Sequence, residues 1–267
     1  MGGYNSLLFE LSSEDRLDIL VLLKKSPLKL SHVANKLNFT VQETSRNITR
    51  LSEAKLITKD TEGAFHLTAY GEEALNLLSG YRFLYKNKEY LVGHSLAGLP
   101  NQFRDSLGAL ENFKLVNDVM VTFHNVENMI ADAEDHVWIM TNQVLVSTIP
   151  FLVQAIQRGV EFRLLMPKNY VPPEGLVETV SNPVFEKASR TKNLQTRFLE
   201  KTEAFLCLSE KVVGALGFPN LEGKLDYFGF KSAKETAVEW AKALYSYYWD
   251  RATSIVPEQY TQTQPDS

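Results

Sequence analysis

A single cysteine, Cys207, in 267 residues excludes an intrachain disulfide and a cysteine-cluster metal site. Its neighbours Phe205, Leu206 and Leu208 place it on a buried strand, where a thiol packs rather than reacts. No apolar run approaches the roughly 20 residues that a membrane-spanning helix needs, so no membrane partner is expected. The start, Met1-Gly2-Gly3-Tyr4-Asn5, lacks the basic and apolar regions of a secretory signal, and a cytoplasmic location is expected. A Gly-rich phosphate loop, a Gly-x-Ser-x-Gly elbow and a His-Glu-x-x-His zinc helix are all missing. The histidines, His32, His66, His94, His124 and His136, are scattered, and neither a metal nor a cofactor is expected. The net charge of -4 argues against nucleic-acid binding by the whole surface. What remains is an ordinary globular composition, 44% hydrophobic and 22% charged, long enough for two domains with separate cores.

Residues 31 to 67 carry the most information. Ser12 or Ser13 can cap a first helix with Leu17, Leu20, Val21 and Leu22 or Leu23 at helical spacing, which Pro27 ends. Ser31 opens a second helix with Val33, Ala34 and Leu37 inward, and Asn38-Phe39 forms the turn. Thr40 and Glu43 fit a capping box that opens a third, with Val41, Ile48 and Leu51 on a buried face. Gln42, Thr44, Ser45, Arg46, Asn47, Thr49 and Arg50 are its polar positions. Residues 56–59 and 64–67 alternate as two strands around Asp60 to Gly63, a wing-like hairpin. Between Lys24 and Lys59 basic residues outnumber acidic ones, which suits phosphate contacts. The pattern predicts a helix reading the DNA major groove. Arg46 and Arg50 would lie on phosphates or guanine edges, with hydrogen bonds from Gln42, Ser45 and Asn47, and Lys59 and His66 of the wing on the backbone or minor groove.

The run Ser45-Arg46-Asn47-Ile48-Thr49-Arg50-Leu51-Ser52-Glu53-Ala54-Lys55-Leu56 resembles the recognition helix of ArsR-type winged-helix regulators, with Lys55 where the pattern has glycine. The resemblance implies a winged helix-turn-helix that binds double-stranded DNA. Three helices and a hairpin can also form a dimerisation or protein-binding module, the lesser alternative to DNA binding.

Residues 68–79 continue as a helix that Gly80 is expected to end, before the aromatic stretch Tyr81, Phe83, Tyr85 and Tyr90. Pro100 suits the first turn of a helix carrying Phe103, Leu107 and Leu110. These connecting helices can form a dimer interface or pack inside the monomer. From about Asn117 strand and helix alternate. Residues 136–141 and 160–166 read as strands joined by a helix over 148–158, a βαβ unit, with further strands at 196–199, 204–208, 212–218 and 227–230. Ser232 with Glu235 predicts a capping box opening a long helix through Trp240, Leu244, Tyr248 and Trp249, and 257–267 reads as a disordered tail.

His94-Ser95-Leu96 with Leu99-Pro100, Phe218-Pro219-Asn220 with Glu222-Gly223, and Trp240 with Tyr248-Trp249 resemble the C-terminal domain of archaeal methanogenesis-regulator-type proteins. That domain is similar to the phospholipase D fold used for effector binding in archaeal sugar-sensing regulators. Phospholipase D chemistry needs a histidine with a lysine two residues later, and no histidine here has one, so a catalytically inactive relative is implied.

The expected architecture is an α+β winged helix-turn-helix over residues 1–80, connector helices over 81–116, an α/β domain over 117–256 and the tail. In an open α/β sheet a small-molecule effector binds beyond the carboxyl ends of the strands, which points to Asn142, Gln143, Met166, Lys168, Phe218 and Asn220. The alternative is that these are plain loop residues. The whole predicts a homodimeric regulator rather than an enzyme, with a partner-recruiting module that binds no ligand as the rival.

Overall fold

The computed structural model describes residues 4–171 and 183–255, so the expected tail lies outside the described residues. The chain divides into two compact units, Met1–Arg82 and Phe83–Ser267.

In the first unit α1 (Tyr4–Leu11), α2 (Glu14–Lys25), α3 (Leu30–Leu37) and α4 (Val41–Glu53) precede a hairpin of β1 (Ile57–Lys59) and β2 (Phe65–Leu67). Its core is Leu11, Ile19, Leu20, Leu23, Val33, Ile48, Leu51, Leu56, Ile57, Leu67, Ala74 and Leu75. Asn38 takes a left-handed conformation, φ 55°, to turn the chain between α3 and α4. The capping box forms: Thr40 Oγ1 accepts the Glu43 N–H, while the Thr40 hydroxyl and then its backbone N–H donate to the Glu43 carboxylate and hold it below the usual carboxylate range. Asp60 Oδ1 accepts the Glu62 and Ala64 N–H groups and fixes the hairpin turn, and Leu28 pairs with Phe65, tying the hairpin to the α2–α3 loop.

The sequence pattern shows no sign of α1. Val41, expected inward, is 63% exposed, because Thr44 fills the buried face there with its hydroxyl satisfied by the Thr40 carbonyl. Lys55 adopts φ 62°, the conformation that glycine reaches without strain. Lys55→Gly is therefore expected to stabilise the first unit by roughly 0.5–1 kcal/mol, read as a raised Tm.

Helix α5 (Ala69–Lys86) does not stop at Gly80. Beyond Gly80 it carries Phe83, fully buried in the core of the second unit, and this packing outweighs the local cost of a helical glycine. Residues 83–116 belong to the second unit. They form α6 (Lys88–Gly93), α7 (Asn101–Asp105), a 3-10 turn at Leu107–Leu110 in place of one continued helix, and β3 (Lys114–Val116).

There follow α8 (Val119–Asp132), β4 (His136–Met140), α9 (Ile149–Gln157), β5 (Glu161–Pro167), α10 (Pro183–Arg190), β6 (Leu194–Leu199), β7 (Phe205–Ser209), β8 (Val213–Gly217), β9 (Gly229–Ser232) and α11 (Glu235–Trp249). Among the described residues the strands make one mixed seven-stranded sheet, in the order β3-β9-β8-β7-β4-β5-β6. β4, β5 and β6 run parallel, with α9 crossing between the first two, while β4–β7, β7–β8, β8–β9 and β9–β3 are antiparallel. Every residue of β7 and β8 is buried, since helices cover both faces. Alternation divides β7: Leu206 and Leu208 join the core under α11, with Phe83, Tyr90, Phe230, Leu244 and Tyr245, while Phe205 and Cys207 join the one under α8 and α9. Burial pushes the Cys207 thiol pKa up, in keeping with a packing role.

The Ser232–Glu235 capping box does not form. Ser232 ends β9 and its hydroxyl accepts the Lys234 N–H, leaving Lys234 as the residue before α11. After α11 the chain returns to the sheet border, where Phe198 of β6 and Thr253 exchange two backbone hydrogen bonds of 2.7 and 3.0 Å.

Candidate nucleic-acid interface and ligand clefts

Helix α4 presents a polar stripe. Gln42, Ser45, Arg46 and Thr49, spaced i, i+3, i+4, i+7, are all exposed, and Ile48 and Leu51 seal the opposite side. Among the described residues Arg46 has no hydrogen-bond or ion-pair partner, which leaves its five N–H donors for an external acceptor. In the hairpin, Lys59 is exposed with its ammonium 5.5 Å from the Phe65 ring centre, and His66 is half-buried.

Three expected DNA contacts do not face outward freely. Thr44 is fully buried and Asn47 is 3% exposed, because a 13-residue helix anchored by Ile48 and Leu51 turns them toward the core. Arg50 is committed internally: Nε and Nη2 donate to the Glu10 carboxylate at 3.0 and 2.6 Å, and the guanidinium lies 5.0 Å from the Phe9 ring centre. Arg16 completes the cluster, reaching the same carboxylate at 3.0 Å and the Phe9 and Glu10 carbonyls at 2.7 and 2.9 Å. Glu10 was invisible as a functional position because its helix gives no clear periodic signal. The Glu10 side chain is 13% exposed, and the Arg50 guanidinium beside it holds its carboxyl below the usual range.

In the second unit the expected effector residues divide. Asn142 and Asn220 line one cleft of about 580 Å³, together with Ser95, Asn169, Lys201 and Glu203, beyond the carboxyl ends of β4, β5, β6 and β8. Gln143 lines a separate narrow cavity. Met166, in β5, is 4% exposed and Phe218, just after β8, is fully buried, and both belong to the two cores that flank the sheet rather than to the cleft wall. Lys168 opens on a neighbouring cleft and is paired with Glu200. Asn142 is held by the Tyr227 hydroxyl at 2.7 Å, and burial pushes the Tyr227 phenol up to about 12, so it stays a donor. Asn220 Oδ1 accepts the Glu222 and Lys224 N–H groups, which leaves its amide nitrogen for a ligand.

The three motif segments of the second unit meet beside this cleft. His94 and Asn220 pair through their backbones, the His94 ring bridges the Tyr90 carbonyl at 2.7 Å and Asp226 at 2.9 Å, and the Tyr248 hydroxyl donates to the Gly98 carbonyl at 3.0 Å.

No protein-family model and no curated protein matches the chain. Among solved structures, similarity is found to TrmBL2, described as an archaeal chromatin protein with a novel mode of DNA binding: 11% identity, TM-score 0.42, covering 95% of this chain and 100% of that one. NucT from Helicobacter pylori gives 12% identity and TM-score 0.39 over 54% of this chain and 97% of its own, and the methyltransferase CalO1 gives 12% identity and TM-score 0.24 over 63% and 57%. At these scores the likeness assigns neither a fold nor an activity, and the functional reading rests on the residues themselves.

Proposed function

We propose that the first unit is a winged helix-turn-helix that binds double-stranded DNA, and that the chain is a homodimeric transcriptional regulator rather than an enzyme. The observation that carries this is the outward stripe Gln42, Ser45, Arg46 and Thr49 on a helix whose start is fixed by a capping box and whose back is buried. Arg46 is the principal contact, on a guanine edge or a phosphate, and Lys59 supports it from the wing. The half-sites of a two-fold operator then lie about one helical turn, roughly 10 bp, apart or a multiple of it. Exposed apolar side chains at Leu77, Tyr81 and Tyr85 of α5, spaced by four, favour pairing of two copies along this helix. The second unit is read as a non-catalytic sheet of the phospholipase D type, with a small-molecule effector held by Asn142 and Asn220 that shifts operator affinity.

The test is fluorescence anisotropy on the chain's own upstream promoter DNA and on scrambled DNA at two salt concentrations, with Arg46→Ala beside the unmodified protein. Tight binding to the promoter, weakened roughly 10-fold or more by Arg46→Ala at unchanged Tm, is the expected result. Weak, equal binding to both DNAs, indifferent to Arg46, would overturn the proposal.

A further inference from the structure

The structure assigns a second cleft, at the opposite end of the sheet from Asn142 and Asn220, to a small anionic metabolite with a phosphate head and an apolar body. The inference stands on the second unit alone and does not depend on what α4 binds.

The cleft, about 580 Å³, lies between α8 and the ends of β3, β7, β8 and β9, and its size is that of a small-molecule site. Lys114, Lys211, Lys231 and Lys234 surround it, and Asp132 is the acid in its lining. Lys211 is spoken for by Glu134 at 2.7 Å, with Glu210 at 3.9 Å, so Lys114, Lys231 and Lys234, set against Asp132 alone, leave the lining with a net positive charge. A chain of net charge -4 thus gathers positive charge around one concavity.

The neutral groups inside are arranged as donors. Lys231 Nζ donates to Asn125 Oδ1 at 2.8 Å, which fixes that amide with Nδ2 as its other end, and Nδ2 is buried without a partner. The buried Ser209 hydroxyl accepts the Lys211 and Val212 N–H groups, and that of Ser232 accepts the Lys234 N–H. Each hydroxyl keeps its own proton to give. Donors from Asn125, Ser209, Ser232 and Lys231 suit an oxyanion with several acceptor oxygens. Met129, Val212 and Val213 make the rest of the wall apolar. A Cβ at Gly214 would stand 2.9 Å from the Met129 sulfur, so glycine lets the strand lie close under α8. A bare inorganic ion would leave this apolar wall uncovered.

Phenyl phosphate is the probe, added to the full chain at constant ionic strength and followed by thermal shift and calorimetry. A saturable rise in Tm is expected, with phenol silent and inorganic phosphate weaker. Lys231→Met should weaken binding about 10-fold or more. The exposed pair Lys114→Gln, Lys234→Gln should weaken it as well, without touching the core, and thus separates ligand loss from misfolding. No saturable shift, an affinity unchanged in both variants, or an equal shift with sulfate would overturn the assignment. So would displacement of phenyl phosphate by a short oligonucleotide in an Arg46→Ala background, since the phosphate recognised would then belong to a nucleic acid.

Discussion

Gly71→Ala is expected to destabilise the first unit by about 3 kcal/mol or more, although alanine is the better helix former. Gly71 lies in the first turn of α5, packed onto the backbone of Leu56. The Leu56 carbonyl accepts the Thr68 N–H at 3.1 Å, and the Thr68 hydroxyl accepts the Gly71 N–H at 2.9 Å. A Cβ on residue 71 would come within 1.9 Å of the Leu56 oxygen and 2.8 Å of its carbonyl carbon. Both partners are main chain, so no rotamer change relieves the contact, and Leu56 is itself fully buried. Relief requires lifting α5 away from the residues that join α4 to the hairpin. Thermal unfolding should show the transition of the first unit lowered by roughly 10 °C or more. An unchanged midpoint would mean that this junction yields freely.

The second large effect belongs to Glu10. Replacing it with glutamine leaves Arg16 and Arg50 facing a neutral amide, and the expected loss is about 2–3 kcal/mol at neutral pH, below the full value of a buried pair because the Arg50 side chain is 38% exposed. Arg50→Gln should lower Tm as well, and the effects of the two changes should be less than additive in the double variant, since both break one ion pair. The sign of the pH dependence follows from the lowered Glu10 pKa. A carboxyl held below its ordinary 4.5 by Arg50, with Arg16 assisting against the opposing effect of burial, contributes stability that is complete above 4.5 and disappears as the pH falls through the folded-state value. The gap between the native chain and Glu10→Gln should therefore close in acid. If Arg50 instead contacted DNA alone, its replacement would leave Tm untouched and lower only DNA affinity.

This cluster also shows where sequence reasoning reaches its limit. The α2 to hairpin run was legible because caps, turn residues and apolar spacing are local: Thr40 with Glu43, Asn38, and the Asp60 turn each act within a few residues. The strands of the sheet were legible from their apolar runs, and the rule that ligands gather beyond strand carboxyl ends led to Asn142 and Asn220, which do line a cleft there. What escaped depends on contacts distant in sequence. Arg50 has the residue type and helix position of a phosphate ligand, but its partner Glu10 stands forty residues earlier, beyond the reach of any local pattern. Gly80 has the local character of a helix stop, but burial of Phe83 in the core of the second unit carries the helix past it. Polar type alone could not separate Thr44 and Asn47 from Gln42 and Thr49, because helical phase decides it and Val41 misplaced the phase. The lysine-lined cleft escaped for the same reason, since Lys114 and Lys231 meet only through the β3–β9 register.

The paired hydrogen bonds between Phe198 and Thr253 have a consequence for the chain in a crowded solution. β6 closes one border of the sheet, and a bare border strand is a template onto which another molecule's strand can add. By laying its own residues after α11 against that border, the chain occupies donors and acceptors that would otherwise recruit a foreign strand. The residues just after α11 thus act as a guard against edge-to-edge polymerisation, and a chain cut after Trp249 should be more prone to aggregate than to lose either cleft of the second unit.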